Sequence, residues 1–397
     1  MNLILSIEAI HAPLAGIGRY AWELATRMPL HSDILSTRFM ANGLWKDLPR
    51  ISGVSQSEIG GSNLHLMNEP EQLNYKGMIR KRLGNLRLVS QLHTKLMPLV
   101  AANRLNKIAD GVFHGPNFFV PKTHLPSVVT IHDLSTFRYP EWHPKNRVER
   151  MMVAIPEAIR RANVVLTVSE VTRQEVLREF GLPAERVKAI LHGVDPQYRP
   201  RPLSELVPTL GHFGLSPGGY SLFVSTIEPR KNLINLITAY RSLPNELRMH
   251  WPLVVIGSRG WQSDEIHDEI ARASRQGWLK YLGFVSQEHL PILYAGAKLF
   301  AYPSWYEGFG LPIAEAMASG IPVMTSNRSS MPEVAAGAAL LIEPGDVRDI
   351  AEKLMQGLTD EIWRSQAINN GIHRSAELTW SACVEETIAA YRIAGNS

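Results

Sequence analysis

With 397 residues, 45% hydrophobic and 20% charged, the chain has the composition of a soluble globular protein and is too long for one ordinary core, so two domains are expected. No apolar run is long enough to span a bilayer, no leader with a cleavage site opens the chain, and a lone cysteine, Cys383, excludes an intrachain disulfide, so a reducing, cytoplasmic setting is expected. The net charge of +4 is uneven: residues 1–200 carry 25 Lys+Arg against 17 Asp+Glu, residues 201–397 carry 16 against 20.

"MNLILSIEAI" carries Glu8 and reads as a first buried strand. "LAGIGRYAWELATRM" then places Gly16 and Gly18 in a loop before a helix, a pattern that a plain turn also explains. Residues 72–109 hold no acid; Lys76, Arg80, Lys81, Arg82, Arg87 and Lys95 alternate there with leucines. A basic amphipathic helix for an anionic membrane or a phosphate-bearing substrate is one reading, and a solvated face backed by core leucines is the other. No nucleic-acid motif accompanies the charge, so nucleic acid is not an expected partner. "GVFHG", "SVVTIHD" and "VVLTVS" come next as buried parallel strands. The second ends at His132, which taken alone reads first as a satisfied structural histidine but can also donate to a hydroxyl or phosphate, and at Asp133, which can hold its ring. Ser169 is a helix N-cap of mainly structural role, as are His192 and Asp195 near the joint. That joint is "GVDPQYRPRPLSELVP", where clustered prolines disfavour helix.

The second half repeats the alternation with "YSLFVST", "PLVVIG", "LKYLGF", "KLFAYPS", "IPVMTS" and "AALLIEP", which implies two doubly wound α/β domains. In "TIEPRKN", Arg230 and Lys231 fall at a strand end before a helix, where cations oppose the dipole and an anion explains them better than stability does. "YPSWYEGFGLPIAEAMASG" has a strand, then a turn through Gly308 and Gly310, then a helix with Pro312 at its first position and Gly320 as C-cap. The turn amides make an anion site; Glu315 suits a cis-diol such as ribose, and Glu307 a group beyond the phosphates. A last helix covers roughly Ser381 to Ala394. No histidine or cysteine set has metal-ligand spacing, and GxSxG and GxxxxGK[ST] are absent.

These segments, with "AGIGRY", "TIHDLSTFRYPEWHP", "TVSEVTRQEV", "GFVSQEHLPILYAGA" and "SNRSSMPEVAAGAALLIEP" in order, resemble the family 4 retaining glycosyltransferases over most of the chain. The resemblance implies a GT-B fold of two Rossmann-like domains facing a cleft, with no metal or other cofactor. It places an acceptor-side domain at 1–198, a nucleotide-sugar domain at 199–380, and a terminal helix at 381–397 that packs back on the first. It further implies that Arg230 and Lys231 bind the diphosphate and Glu315 the ribose. Glu307, with the backbone of Phe309, Gly310 and Leu311, would hold the donor sugar, Phe284 and Val285 the base. His132 would lie by the sugar, and Gly16 and Gly18 would approach the phosphates. Ser225 stands where the family often has glycine.

Within the family, "GSRGW" and "YPSWYEGFGLP" look most like bacterial mannosyl- or rhamnosyltransferases of O-antigen synthesis, which use GDP-sugars and lipid-linked glycan acceptors. That likeness implies a GDP-sugar donor, a polyprenyl-diphosphate-linked or polysaccharide acceptor, and peripheral contact with the inner membrane face through residues 72–109. A UDP-sugar transferase of the same fold, a sugar-nucleotide epimerase and a non-catalytic binding subunit are the alternatives.

Overall fold

A computed structural model describes residues 1–12, 14, 16–49 and 87–396, excepting the side chains of residues 87–95. The first sheet contains β1 (Asn2–Ser6), β2 (Ser36–Ala41), β3 (Leu44–Lys46), β4 (Val112–Gly115), β5 (Ser127–Ile131), β6 (Val164–Thr167) and β7 (Val187–Ala189), in the order β3-β2-β1-β4-β5-β6-β7. Among the described residues only its β2–β3 pair is antiparallel. The second sheet contains β8 (Ser221–Val224), β9 (Leu253–Ile256), β10 (Leu279–Gly283), β11 (Leu299–Tyr302), β12 (Val323–Ser326) and β13 (Ala339–Ile342). Its strands are all parallel, ordered β10-β9-β8-β11-β12-β13. Strands such as β6 and β11 are buried along their whole length, as helices on both faces require, and this explains their unbroken apolar sequences.

Both sheets reverse strand order beside their first strand. In the second sheet the switch lies between β8 and β11, so the loops carrying Arg230–Lys231 and Glu307–Gly310 open from its two sides. In the first it lies between β1 and β4, next to the turn at Gly16. Ligands of open α/β sheets bind at such points because diverging connections leave a crevice there.

Two features depart from the sequence-based expectation. The β2–β3 hairpin was not expected; it turns through Asn42 and Gly43, at φ 50° and 69°, the pair that a two-residue hairpin turn favours. The joint is not free of helix: Leu203–His212 is helical, with Pro202 as N-cap and Pro208 inside it. Proline there is tolerated because Leu206 and Leu210 bury the helix against the second core. Residues 72–86 of the basic stretch lie outside the described residues. From Arg87 the stretch is a helix, Arg87–Leu105, that buries Ala101 and Leu105 but leaves Leu96 and Leu99 exposed by 47% and 65%. No helix among the described residues is long and apolar enough to cross a membrane.

The last helix, Trp380–Gly395, is N-capped by Thr379 and packs into the first domain, where Trp380, Val384, Ile388 and Tyr391 join the core of Leu3, Leu5 and Tyr20. A buried polar chain ties it there. Tyr391 Oη lies 2.6 Å from His114 Nδ1, His114 Nε2 lies 2.9 Å from Thr130 Oγ1, and Tyr20 Oη lies 3.0 Å from the same Thr130 oxygen. Tyr20 belongs to the helix Ile17–Arg27, so this chain anchors the glycine turn that begins it.

Candidate active site

β11 ends at Tyr302 and the chain turns through Gly308 and Gly310 into the helix Leu311–Ala318. Gly310 is the N-cap at φ 106°, a conformation glycine adopts without strain, and Pro312 occupies the second helical position, one later than expected. The turn's carbonyls are held from both sides. Ser330 Oγ donates to Glu307 O at 2.9 Å and Phe309 O at 2.8 Å, while Ser169 Oγ of the first domain donates to Gly308 O at 2.7 Å. The amides of Phe309, Gly310 and Leu311 have no acceptor among the described residues, so the turn keeps the donors an anion needs.

Arg230 and Lys231 lie in a short 3-10 turn directly before the helix Leu233–Ser242. Neither is a free cation. Lys231 Nζ donates to Glu307 Oε1 at 2.7 Å and to Tyr302 Oη at 3.0 Å; Arg230 donates to Glu307 Oε2 at 2.9 Å, to Tyr306 O at 2.6 Å and to Glu228 Oε1 at 2.8 Å. Burial pushes the Glu307 carboxyl up, but Arg230 and Lys231 outweigh it and hold it at about 2. Burial works against charge on Arg230 too, and Glu307, Glu228 and Asp133 more than reverse it. Tyr302 also donates to Glu307 Oε1, at 3.0 Å. A carboxylate has about four lone-pair positions, so Glu307 keeps one for a ligand hydroxyl. The sequence assigned acids and cations separate tasks; the fold joins them in one ion-paired cluster.

The first domain meets this cluster at the end of β5. A Cβ on Gly308 would lie 1.8 Å from His132 O, so only glycine allows the donor loop this close. The expected roles of His132 and Asp133 need correction. His132 Nε2 donates to Pro116 O at 2.7 Å, and burial lowers its pKa to about 4, so the neutral ring has no N–H left for a ligand and offers Nδ1 as an acceptor. Asp133 does not hold that ring; its Oδ1 accepts the Ser135 N–H at 2.8 Å. Burial raises the Asp133 carboxyl, but Arg230 and the Ser135 bonds bring it below the usual range.

The two glycines of "AGIGRY" separate in role. Gly16 has φ 47° with no described atom within 4 Å of a Cβ, whereas a Cβ on Gly18 would meet Ala9 O at 2.9 Å. Gly16 faces space and Gly18 serves packing. Arg19 pairs with Asp195 at 3.2 Å beside the joint and donates across the domains to Gln287 Oε1 at 3.3 Å, so Asp195 is not merely a hinge residue. Sequence reasoning missed Arg19, although a cation at a helix start beyond a strand end is the signal that identified Arg230. It also took Ser169 for a plain N-cap; it caps Thr172 N–H and holds the donor loop as well.

Glu315 lies one turn into the helix Leu311–Ala318. Burial pushes its carboxyl up to about 7, against the lowering influence of Tyr294, Arg19 and Tyr198. Val285 is buried and Phe284 is 55% exposed, both just after β10. Ser225 packs tightly against a neighbouring strand end, where a Cβ on Gly257 would lie 1.7 Å from Ser225 O.

Residues 216–374 match the family model described as Glycosyl transferases group 1, and residues 96–198 match Glycosyltransferase Family 4. O-antigen chain mannosyltransferase B of Escherichia coli is 38% identical over 394 residues, 99% of this chain and 100% of that one. Two solved structures share the architecture at low identity. Anabaena HepE, crystallised with UDP and glucose, has a TM-score of 0.69 at 17% identity over 98% of both chains. WaaG, a glycosyltransferase involved in lipopolysaccharide biosynthesis, has 0.65 at 15% over 100% of both. The fold is therefore GT-B, and the chain belongs to the group 1 and Family 4 glycosyltransferases.

Proposed function

We propose that the protein is a retaining mannosyltransferase that extends a lipid-linked O-antigen glycan from GDP-mannose, without a catalytic metal. The observation that carries this reading is the cluster at the switch point of the second sheet: Arg230, Lys231 and the amides of Phe309 to Leu311 for a diphosphate, with Glu307 and Glu315 on either side. Full-length similarity to an O-antigen mannosyltransferase supports the sugar. Lys231 retains one N–H, and with Arg230 and the turn amides it stabilises charge as the diphosphate leaves. The bond from C1 to the phosphate oxygen breaks while the acceptor oxygen bonds C1 on the same face, and the acceptor proton passes to the leaving phosphate. Basic residues 72–86 and exposed Leu96 and Leu99 support contact with an anionic membrane.

The test is a thermal-shift panel of GDP-, UDP- and ADP-sugars at equal concentration, since a ligand stabilises the native state according to its concentration and affinity. GDP-mannose should raise Tm most. A larger shift with UDP-sugars would favour the UDP reading, and conversion of donor to an epimer without acceptor would favour an epimerase.

Glu315 adds a pH signature. To accept two ribose hydroxyls it must be ionised, yet its folded pKa is about 7. GDP-mannose affinity should therefore be full above pH 7 and fall about tenfold per unit below it. Calorimetric titration between pH 5.5 and 8.5 reads this, and Glu315→Gln should flatten the profile while weakening binding. An unchanged slope in that variant would remove Glu315 from the ribose site.

A further inference from the structure

Glu333 lies in the short helix Met331–Ala335 of the second domain, and its carboxylate crosses to the first. Oε1 accepts the Glu170 N–H at 2.8 Å and Oε2 the Val171 N–H at 3.2 Å. These amides open the helix Glu170–Phe180; no carbonyl within the helix serves them, and the dipole there favours an anion. The helix's own acid is turned elsewhere, with Glu170 Oε1 accepting from Arg173 at 2.9 Å and Gln174 at 2.7 Å. Arg374 fixes the backbone behind Glu333 by donating to Glu333 O and Val334 O, each at 3.1 Å.

The same helix is gripped twice more. Tyr306 Oη donates to Glu175 Oε2 at 2.5 Å, and Ser169, its N-cap, donates to Gly308 O. Ser329 and Ser330, just before Glu333, both donate to Glu307 O. One surface turn thus holds the donor loop with its serines and the opposite domain with its glutamate.

We propose that Glu333 is a positioning residue that latches the two domains, so that the donor loop meets His132 and Asp133 only when the cleft is closed. The proposal rests on the cleft being the active site, but the latch itself can be measured without any nucleotide. Gln keeps one acceptor oxygen and loses the charge, so Glu333→Gln should reduce the closed population and kcat about three- to thirtyfold, the range for a carboxylate at a helix N-terminus. GDP-mannose affinity should hold, because Arg230, Lys231 and Glu315 all belong to the second domain. Glu333→Asp, still charged but shorter, should recover part of the loss.

The experiment is a spin-label distance distribution across the cleft, from Glu149→Cys on the first domain to Asp268→Cys on the second. Both sites are exposed, while the native Cys383 is buried, so labelling is selective. Without ligand, Glu333→Gln should move the distribution toward the open form, with kcat reduced and GDP-mannose affinity kept. An unchanged distribution with unchanged kcat would overturn the latch. So would a joint fall of kcat, donor affinity and Tm, which would mark a plain structural prop. If the unsubstituted protein fails to bind GDP-mannose, the donor reading fails and the ligand-free distances still decide the latch.

Discussion

Replacing Lys231 by alanine is expected to lower kcat about 10²- to 10³-fold, the loss seen when one preorganised donor to a developing anion is removed. The protein should stay folded. Glu307 loses one partner but retains Arg230 at 2.9 Å and Tyr302 at 3.0 Å, so its buried charge remains paired. The stability loss should be about 1–3 kcal/mol, read by urea denaturation. Arg230→Ala is a different case, because it strips the shared cation from Glu228 and from Glu307 Oε2. Breaking a buried pair this way costs about 3–5 kcal/mol, so its activity loss would be mixed with unfolding. Lys231→Ala is the cleaner probe. Near-normal kcat in that variant would mean the cluster does not face the leaving group.

The second large effect is expected at Gly308. An alanine Cβ would lie 1.8 Å from His132 O and 2.8 Å from the carbon of that carbonyl, and neither partner is a flexible side-chain end. The donor loop must retreat from β5, against the bond that Ser169 makes to Gly308 O. A displacement near 1 Å at a reacting centre can cost about 10²-fold, so Gly308→Ala should lose at least that in kcat/KM. The strain should also remove about 1–3 kcal/mol of stability. Gly211→Ala is the control: no atom lies within 4 Å of its Cβ and it sits inside a helix, so activity should be unchanged. Full activity in Gly308→Ala would show that the domains need not approach this closely.

Strands such as β6 and β11 were legible because burial on both faces leaves an unbroken apolar run. β2, "STRFMA", is half exposed and places Arg38 over Trp45, 3.9 Å from the ring centroid, so its apolar pattern is faint. Its signal was the Asn42-Gly43 pair instead. The glycine turn, the cations and Glu307 were legible because each lies beyond a strand end with its motif intact, and Glu315 because it follows the turn by one turn of helix. Their pairing was less so, although Glu228, two residues before Arg230, already hinted that the arginine is not free. The bonds from Ser169 to Gly308 and from Glu333 to Glu170 join residues 139 and 163 positions apart, and no local pattern encodes such contacts. They arise only when both sheets are assembled face to face.

On the proposed function, the Arg230–Lys231–Glu307 cluster and Glu315 together form a nucleotide-sugar site. A crystal structure with GDP-mannose bound tests it most directly. Diphosphate oxygens should lie within hydrogen-bond reach of Lys231 Nζ and the Gly310 and Leu311 amides, with the ribose diol on Glu315 and a mannose hydroxyl on the remaining lone pair of Glu307. A nucleotide seated elsewhere, or one whose diphosphate leaves Lys231 and the turn amides untouched, would contradict it.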